Sequence, residues 1–297
     1  MGAIAFIGLG NMGAGMAANL AKSGADVLAF DLVPAALERA EAAGCRRTVS
    51  AAEAASSADV VITMLPAAAH VREVWELEVL PHARTNALLI DCSTIDVESA
   101  RRLGDLAAKA GFRSADAPVS GGIAGADGGS LTFMVGCRAE VLSAVEAALA
   151  PMAKTVIHAG GAGAGQAAKI CNNMLLGISM VGVCEAFALA EKLGLQPERF
   201  FEIAAKSSGQ CWSLTSYCPW PGTVPSAPSN RGYQGGFLTA LMVKDLKLAQ
   251  EAAAKAGAAT PLGAQAEALF ALFEGLGYGA SDFSAILQLM RGRLAEL

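Results

Sequence analysis

The sequence AIAFIGLGNMG at residues 3–13 joins an apolar run of strand type to a glycine-rich turn and a helical pattern. The GxGxxG spacing allows a tight turn and lets the backbone approach a pyrophosphate at the helix N-terminus. A second apolar run ends in Asp31, eighteen residues after Gly13, where a carboxylate can accept hydrogen bonds from an adenosine ribose. The pattern favours a dinucleotide site over an ordinary glycine turn. Its predicted cofactor-binding residues are Gly8, Gly10, Asn11, Met12, Gly13 and Asp31.

Short apolar runs alternate with helical patterns through the first half of the chain. This alternation is typical of a parallel sheet whose strands are joined by crossover helices. We therefore predict an α/β fold that opens with a Rossmann-type doubly wound sheet. The predicted strands are Ala3–Ile7, Asp26–Phe30, Val60–Met64, Ala87–Asp91, Phe112–Asp116, Leu131–Val135 and Thr155–His158.

A second glycine-rich run, GGAGAG at residues 160–165, marks a change of pattern. No acidic strand end follows it at the required spacing, so a hinge and helix start is favoured over a second dinucleotide site. We predict a dinucleotide-binding domain over residues 1–163 and an all-α substrate and oligomerisation domain over residues 164–297. The predicted helices of that second domain include Gln166–Lys192, Thr239–Ala256 and Pro261–Glu274.

Composition excludes several classes of protein. The net charge of −5 gives no basic footprint for nucleic acid and no cationic cluster for an anionic membrane. The seven cysteines form no CxxC pair, which predicts free thiols in a reducing compartment. The three histidines are scattered rather than spaced as metal ligands, so no metal site is predicted.

Two further segments bear on location. The start of the chain carries no basic region with a cleavage site and no Arg/Ser-rich transit pattern, so no targeting segment is predicted there. Met174–Ala190 is the most apolar stretch, but it is short of ~20 residues and contains Glu185. A helix buried on most sides is favoured there over a membrane span.

Polar groups follow several predicted strands, at the edge of a doubly wound sheet where ligands bind. Met64-Leu65-Pro66 and Asp91-Cys92-Ser93-Thr94 are placed to touch a cofactor, although each is equally compatible with a plain turn. The hydroxyl and backbone N–H groups of Ser120–Gly122 can hold a carboxylate without a cation, but their spacing alone favours an ordinary turn.

The second half of the chain offers one candidate base. Lys169 and Asn173 are four residues apart and share a helix face beside an apolar stretch. An amine in an apolar cleft can act as a general base, although a surface lysine is equally compatible with the spacing. The loop Ser208–Phe237 is long and without helical period, as functional loops often are. Lys244-Asp245, on the next helix, is most simply an exposed salt-bridging pair.

Together these motifs resemble the β-hydroxyacid dehydrogenase family over essentially the whole chain. The pieces are FIGLGNMG, MLP, DCSTI, DAPVSGG, LTFMVG, GAGQAAKICNN and KDLKLA, in that order. The loop between Cys211 and Phe237 is similar to that of the 3-hydroxyisobutyrate branch. The resemblance implies catalysis by Lys169 and Asn173, substrate binding by Ser120, Gly121, Gly122 and Lys244, and cofactor contacts from Leu65, Pro66, His70, Thr94 and Lys244.

The resemblance also implies an activity. It is the NAD-dependent oxidation of 3-hydroxyisobutyrate to methylmalonate semialdehyde, a step of valine degradation, with Lys169 as general base. A semialdehyde reductase and an L-serine or 3-hydroxypropionate dehydrogenase of the same family are the alternatives within it. Lys169 argues against an imine reductase and against a non-catalytic dinucleotide-binding module. Since the related mitochondrial enzymes carry a transit segment that is not found here, the resemblance also implies a cytoplasmic protein. A homodimer or homotetramer is expected, because the long apolar helix and the Trp/Pro-rich loop would rarely face water.

Overall fold

The computed structural model describes residues 2–297, and they divide into two compact units. The first unit ends at Lys169 and the second begins at Ile170. The predicted boundary, between residues 163 and 164, instead marks the start of a helix that runs through this division. The first turn of that helix is hydrogen-bonded within the first unit, to the residues around Asp116 and Ser93, and so belongs to that unit.

A nine-stranded sheet forms the centre of the first unit. All seven predicted strands are present, and two short strands, β3 and β7, were missed. The strand order is β3-β2-β1-β4-β5-β6-β8-β7, with β9 also paired to β8. The strands are β1 (Ile4–Ile7), β2 (Val27–Phe30), β3 (Arg46–Arg47), β4 (Val60–Thr63), β5 (Leu88–Asp91), β6 (Arg113–Asp116), β7 (Val119–Ser120), β8 (Leu131–Gly136) and β9 (Ala153–Gly160).

The sheet is parallel from β3 to β6, as the alternation predicts. It reverses at β8, which is antiparallel to β6 and β7. Between β7 and β8 the chain forms only a six-residue helix, and a parallel connection needs a crossover of ~12 residues or more. The predicted parallel sheet is therefore confirmed from β3 to β6, and the antiparallel pairing of β8 is a difference confined to this edge.

Helices cover both faces of the sheet. Ile4 and Phe6 of β1 pack into one apolar cluster, whereas Ala5 and Ile7 pack into another. Because successive side chains of a strand point to opposite faces, this alternation identifies a sheet covered on both sides. The doubly wound class is thus confirmed. The α-helices of this unit are α1 (Gly13–Lys22), α2 (Pro34–Ala42), α3 (Ala51–Ser56), α4 (Ala68–Val74), α5 (Val97–Lys109), α6 (Gly122–Asp127), α7 (Ala139–Leu149) and the start of α8 (Ala164–Lys192).

The second unit is helical, as predicted. Its core contains Phe187 of α8 together with Phe270, Phe273 and Phe283. Phe187 stacks on Trp220 with ring centroids 5.6 Å apart. After α8 come α9 (Pro197–Ala204), α10 (Trp212–Thr215), α11 (Thr239–Ala256), α12 (Pro261–Phe273) and α13 (Ile286–Arg291), with short 3₁₀ or π turns at Pro228–Arg231, Glu274–Tyr278, Phe283–Ala285 and Leu294–Glu296.

Helix α8 is less buried than the sequence predicts. By length and composition alone it could cross a membrane, and 44% of its most apolar window is buried. Leu175 and Leu189 on this helix are 63% and 60% exposed. A single such helix is weak support for a membrane span, because core helices of soluble proteins have the same composition. The exposed leucines fit the expected homo-oligomer, which stays a prediction.

Candidate functional site

Apart from Lys244, which lies on α11 in the second unit, the predicted cofactor-binding residues converge at one edge of the sheet in the first unit. Strands β2, β1, β4 and β5 are parallel neighbours, so their carboxyl ends meet at the same edge. The glycine turn follows β1, and Asp31 follows β2. Leu65 and Pro66 follow β4, with His70 exposed on α4, and Thr94 follows β5. Ligands of doubly wound folds bind at this edge.

The glycine turn is open at Gly10, whereas Gly8 and Gly13 have no room for a side chain. Gly8 has φ 98°, a conformation that favours glycine. A Cβ at Gly13 would overlap the carbonyl oxygen of Gly8. Within residues 2–297, no side chain caps the N-terminus of α1, which follows directly. The turn therefore fits a pyrophosphate, which the N–H groups and the dipole of a helix N-terminus attract.

The side chain of Asp31 is hydrogen-bonded to the backbone of this turn. Its Oδ2 accepts a hydrogen bond of 2.6 Å from the backbone N–H of Leu9, and its Oδ1 accepts one of 2.8 Å from Val33. The carboxylate is half-buried, and Leu32 beside it is 89% exposed. Each carboxylate oxygen can accept more than one hydrogen bond, so the group remains able to bind ribose hydroxyls.

Buried hydrogen bonds hold the loops after β4 and β5 together. The backbone N–H of Leu65 donates to Ser93 Oγ at 2.8 Å, and Ser93 Oγ donates to Asp91 Oδ1 at 2.6 Å. Thr63 also donates to Asp91 Oδ1, at 2.8 Å. Burial raises the pKa of Asp91 to about 6, the hydrogen bonds from Ser93 and Thr63 oppose the rise, and the neighbouring Asp116 carboxylate adds to it. This network fixes the two loops that carry Leu65 and Thr94.

The predicted carboxylate-binding turn lies after β7. Ser120 ends the strand, and Gly121 and Gly122 have φ values of 133° and 63°. Both values favour glycine, so the two glycines follow from the conformation of the turn. Ser120 and Gly122 are partly exposed, and Gly121 is exposed. Backbone and hydroxyl donors are thus open to a ligand here, and substrate binding by them stays a prediction.

Lys169 is buried, with 7% of its surface exposed, one turn into α8. The alternative interpretation of Lys169 as a surface lysine, which the spacing alone allowed, is therefore wrong. The start of its helix is held by Asp116, whose Oδ1 accepts from the N–H of Gly163 at 2.7 Å and whose Oδ2 accepts from Gln166 at 2.9 Å. Burial raises the pKa of Asp116, and these backbone hydrogen bonds oppose the rise.

Asn173, four residues further along α8, is also buried. Its Nδ2 donates to Asp245 Oδ2 at 2.5 Å, and its Oδ1 accepts from Asn172 at 3.1 Å. Lys244 Nζ lies 3.5 Å from Asp245 Oδ1. The amide orientation of Asn173 is thus set by Asp245, a residue that the sequence interpretation treated as half of an exposed pair.

Asp245 is only 2% exposed, so an exposed salt bridge is wrong for this residue. A signal was present in the sequence: Met242, Leu246 and Ala249 form the buried stripe of α11, and Asp245 falls on the same face. A carboxylate on an apolar face needs partners, and Asn173 and Lys244 are the partners of Asp245. The sequence interpretation also missed Asp116 and Gln166.

The long loop after α9 is ordered by hydrogen bonds to Asp282, outside the loop, and by aromatic contacts within it. Asp282 Oδ2 accepts from the hydroxyl of Tyr217 at 2.7 Å and from the N–H of Phe237 at 2.8 Å. Trp212 is half-exposed and stacks on Tyr217, with ring centroids 5.0 Å apart. Helix α10 and a 3₁₀ turn lie within the loop, so its lack of helical period did not mean a lack of structure.

Potential metal-ligating side chains do not cluster in the part of the chain that the structure describes. In residues 2–297, no group of three or more His, Cys, Asp or Glu side chains is arranged to hold a metal ion. All seven cysteines are free, and Cys171 on α8 is exposed.

Comparison with known proteins matches each half of the chain to a family model. Residues 3–161 match a family model described as the NAD binding domain of 6-phosphogluconate dehydrogenase. Residues 163–290 match one described as NAD-binding of NADP-dependent 3-hydroxyisobutyrate dehydrogenase. The first half therefore forms an NAD-binding domain, as its glycine turn predicts.

Close relatives span the full chain. A 3-hydroxyisobutyrate dehydrogenase of Pseudomonas aeruginosa is 48% identical over 98% of this chain and 99% of its own. An NAD-dependent L-serine dehydrogenase of the same organism is 47% identical over 96% and 97%. The solved structure of Mycobacterium tuberculosis 3-hydroxyisobutyrate dehydrogenase with L-serine has a TM-score of 0.94 at 47% identity, covering 98% of this chain and 99% of its own. The chain belongs to the 3-hydroxyisobutyrate dehydrogenase family of NAD-binding oxidoreductases.

Proposed function

We propose that the protein oxidises 3-hydroxyisobutyrate to methylmalonate semialdehyde, as a step of valine degradation, with Lys169 as the general base. The observation that carries this proposal is the burial of Lys169 and Asn173, one turn apart on α8. A buried amine and a buried amide on one helix face suit proton transfer from an alcohol. The 48% identity to a 3-hydroxyisobutyrate dehydrogenase supports the substrate.

The proposed reaction removes two hydrogens from the alcohol. NAD, held by the glycine turn and Asp31, would supply the acceptor for the hydride that leaves the carbinol carbon. The neutral amine of Lys169 takes the hydroxyl proton and becomes an ammonium group, while the C–O single bond becomes a carbonyl. Asn173 holds the substrate at this point, with its amide oriented by Asp245. Ser120, Gly121 and Gly122 bind the substrate carboxylate, and Lys244 lies near the nicotinamide and the substrate.

L-Serine is the second candidate substrate. Two observations favour it: an NAD-dependent L-serine dehydrogenase is 47% identical, and the M. tuberculosis relative was solved with L-serine. Serine also carries its hydroxyl on the carbon β to the carboxylate. It differs from 3-hydroxyisobutyrate at the central carbon, where an ammonium group replaces a methyl group. The two substrates therefore share the chemistry and differ in what the site must contact at that carbon.

A kinetic panel tests the substrate. Initial rates with NAD are measured on 3-hydroxyisobutyrate, L-serine, 3-hydroxypropionate and D-glycerate, from the absorbance of NADH. We expect 3-hydroxyisobutyrate to give the highest kcat/KM. Because a methyl group in an apolar pocket contributes only ~1–3 kcal/mol, 3-hydroxypropionate should still react measurably. A preference of more than tenfold for serine or glycerate would contradict the proposed substrate and leave the family assignment intact.

A further inference from the structure

The side chain of Gln166 joins the helix of Lys169 to the loop that follows β5. It is fully buried in the first turn of α8. Its Nε2 donates to the carbonyl oxygen of Ser93 at 2.7 Å, and its Oε1 accepts from the N–H of Ile95 at 3.2 Å. One carboxamide therefore holds the backbone on both sides of Thr94, a predicted cofactor contact.

The helix end of this connection is fixed independently by Asp116. Its carboxylate accepts from the backbone N–H of Gln166 and from that of Gly163, at the positive end of α8. A Cβ at Gly165 would overlap the carbonyl oxygen of Met134, so the turn also packs directly against β8. With its main chain held in this way, Gln166 has little freedom to follow a shift of the loop.

The loop end is fixed as well. Ser93 receives the N–H of Leu65 on its hydroxyl oxygen and donates to Asp91. Hydrogen bonds therefore run from the loop after β4, through Ser93 and Gln166, into the turn that precedes Lys169. All of these residues lie in the first unit. Gln166 belongs to the helix turn, and its side chain carries the path across to the loop by bonding Ser93 and Ile95.

We infer that Gln166 is a positioning residue, which sets the distance between the Thr94 loop and the Lys169 amine. This inference rests on the proposed role of Lys169 as the base. Its spacing supports the inference, because residues three apart on a helix lie on one face. Proton and hydride must leave the same alcohol, so the base and the cofactor need a fixed separation. A misplacement of ~1 Å can lower turnover by about 100-fold.

The first test replaces the carboxamide with an apolar group of similar size. Gln166→Leu should lower kcat by at least about tenfold, with the Kd for NADH, from fluorescence titration, changed less than about threefold. The kinetic isotope effect on 3-hydroxyisobutyrate deuterated at the carbinol carbon should increase, since the transfer step becomes more rate-limiting. Loss of stability alone would change neither the isotope effect nor the turnover per folded enzyme.

The matched control is Gln288→Leu. Gln288 is also buried, and its Nε2 donates to the hydroxyl of Tyr233 in the second unit. This variant loses a buried carboxamide of the same kind, and kcat should stay within about twofold of wild type. If Gln166→Leu lowers kcat no more than Gln288→Leu does, the positioning role is wrong.

A second variant gives a signature in pH. In Gln166→Glu, an ionised carboxylate still accepts from Ile95 but sets an oxygen against the carbonyl of Ser93. A protonated carboxyl group donates to Ser93 and restores both hydrogen bonds. The ratio of variant to wild-type kcat should therefore rise as pH falls from 8 to 6, and a flat ratio would overturn the inference. Should Lys169→Ala abolish turnover while both Gln166 variants keep it, the inference fails and the proposed function stands; full activity in Lys169→Ala would remove both.

Discussion

Two glycine-rich turns in this molecule each connect a strand to a helix, and they differ in what satisfies the N–H groups at the start of that helix. Residues 8–13 join β1 to α1, and residues 160–165 join β9 to α8. In the first turn no side chain of the described residues caps the helix, and Asp31 holds the backbone at Leu9 instead. In the second, the carboxylate of Asp116 accepts from the helix N–H groups. One helix N-terminus is open to an external anion, and the other already has an internal one.

The difference shows why glycine spacing alone predicts a nucleotide site poorly. Helix N-termini attract anions whatever their sequence, because unpaired N–H groups and the helix dipole both favour negative charge. Whether such a helix N-terminus binds an external ligand depends on whether a side chain of the protein already supplies the negative charge. At α8 the charge comes from Asp116, 47 residues before Gly163 in the chain. The second turn thus holds the start of the helix that carries Lys169, and the first is predicted to bind the cofactor.

The largest expected effects separate these two roles. Lys169→Ala should lower kcat by about 10²–10⁴-fold, the usual contribution of a general base, with little change in the Kd for NADH. Gly13→Ala should instead weaken cofactor binding, because its methyl group would displace the turn that is predicted to bind the pyrophosphate. The Kd for NADH should rise by at least about tenfold, the equivalent of ~1.4 kcal/mol. Stopped-flow rates and fluorescence titration measure the two quantities.

Lys192→Ala is the control for the lysine variant. Lys192 lies in the last turn of the same helix and is exposed, so its loss should leave both quantities unchanged. Wild-type kcat in Lys169→Ala would contradict the proposed mechanism. Unchanged NADH affinity in Gly13→Ala would show that the first turn does not bind the pyrophosphate.

A smaller effect concerns Asp31 and the choice of cofactor. A 2′-phosphate on the adenosine would lie near this carboxylate, and Leu32, Val33 and Pro34 supply no cation. Two unit charges ~4 Å apart interact by roughly 4 kcal/mol at an effective dielectric of 20, and screening lowers this value. We therefore expect NAD to be preferred over NADP by at least about thirtyfold in kcat/KM, because half of that repulsion is worth about this factor.

This preference is a sharp test, because the description of the matching C-terminal family model names an NADP-dependent enzyme. The double variant with Asp31→Ser and Leu32→Arg should narrow or reverse the preference, since arginine can bind a 2′-phosphate. Asp26→Ser serves as the control, as Asp26 is an exposed carboxylate that pairs with Arg46. Equal rates with both cofactors in the wild type would mean that Asp31 does not contact the ribose.

Sequence patterns predicted the elements well because local rules govern them. Strand β1 with its glycine turn, and helix α11 with its bounds Thr239–Ala256, follow from apolar period and helix-ending residues. The sequence patterns did not predict the antiparallel pairing of β8, because the direction of pairing depends on the length of the connection between the strands. Asp116 and Gln166 were missed for a related reason. Their partners, Gly163 and Ser93, are distant in sequence, and no local period reports such hydrogen bonds.

The smallest expected effect concerns the charge buried beside the second turn. Asp91 is fully buried, its Oδ2 has no hydrogen-bond partner among residues 2–297, and it shares a small cavity with Asp116. Burial raises the pKa of Asp91 to about 6, and repulsion from Asp116 contributes. An unfolded aspartate has a pKa near ~3.9, so between about pH 4 and 6 the folded protein binds more protons than the unfolded chain does. The free energy of unfolding should therefore fall as pH rises through this range.

Asp91→Asn removes the titrating group and should flatten that dependence. A rise of about two pKa units corresponds to at most ~3 kcal/mol, and relaxation of the site should leave roughly 1 kcal/mol between pH 4.5 and 7.5. Urea unfolding at the two pH values measures it. Ser114→Ala, which alters the wall of the same cavity without removing a charge, should keep the wild-type slope. An equal slope in wild type and Asp91→Asn would mean that Asp91 titrates alike in both states. Burial of the Asp91 carboxylate beside the second turn would then make no pH-dependent contribution to stability, and the difference between the two turns would rest on Asp116 alone.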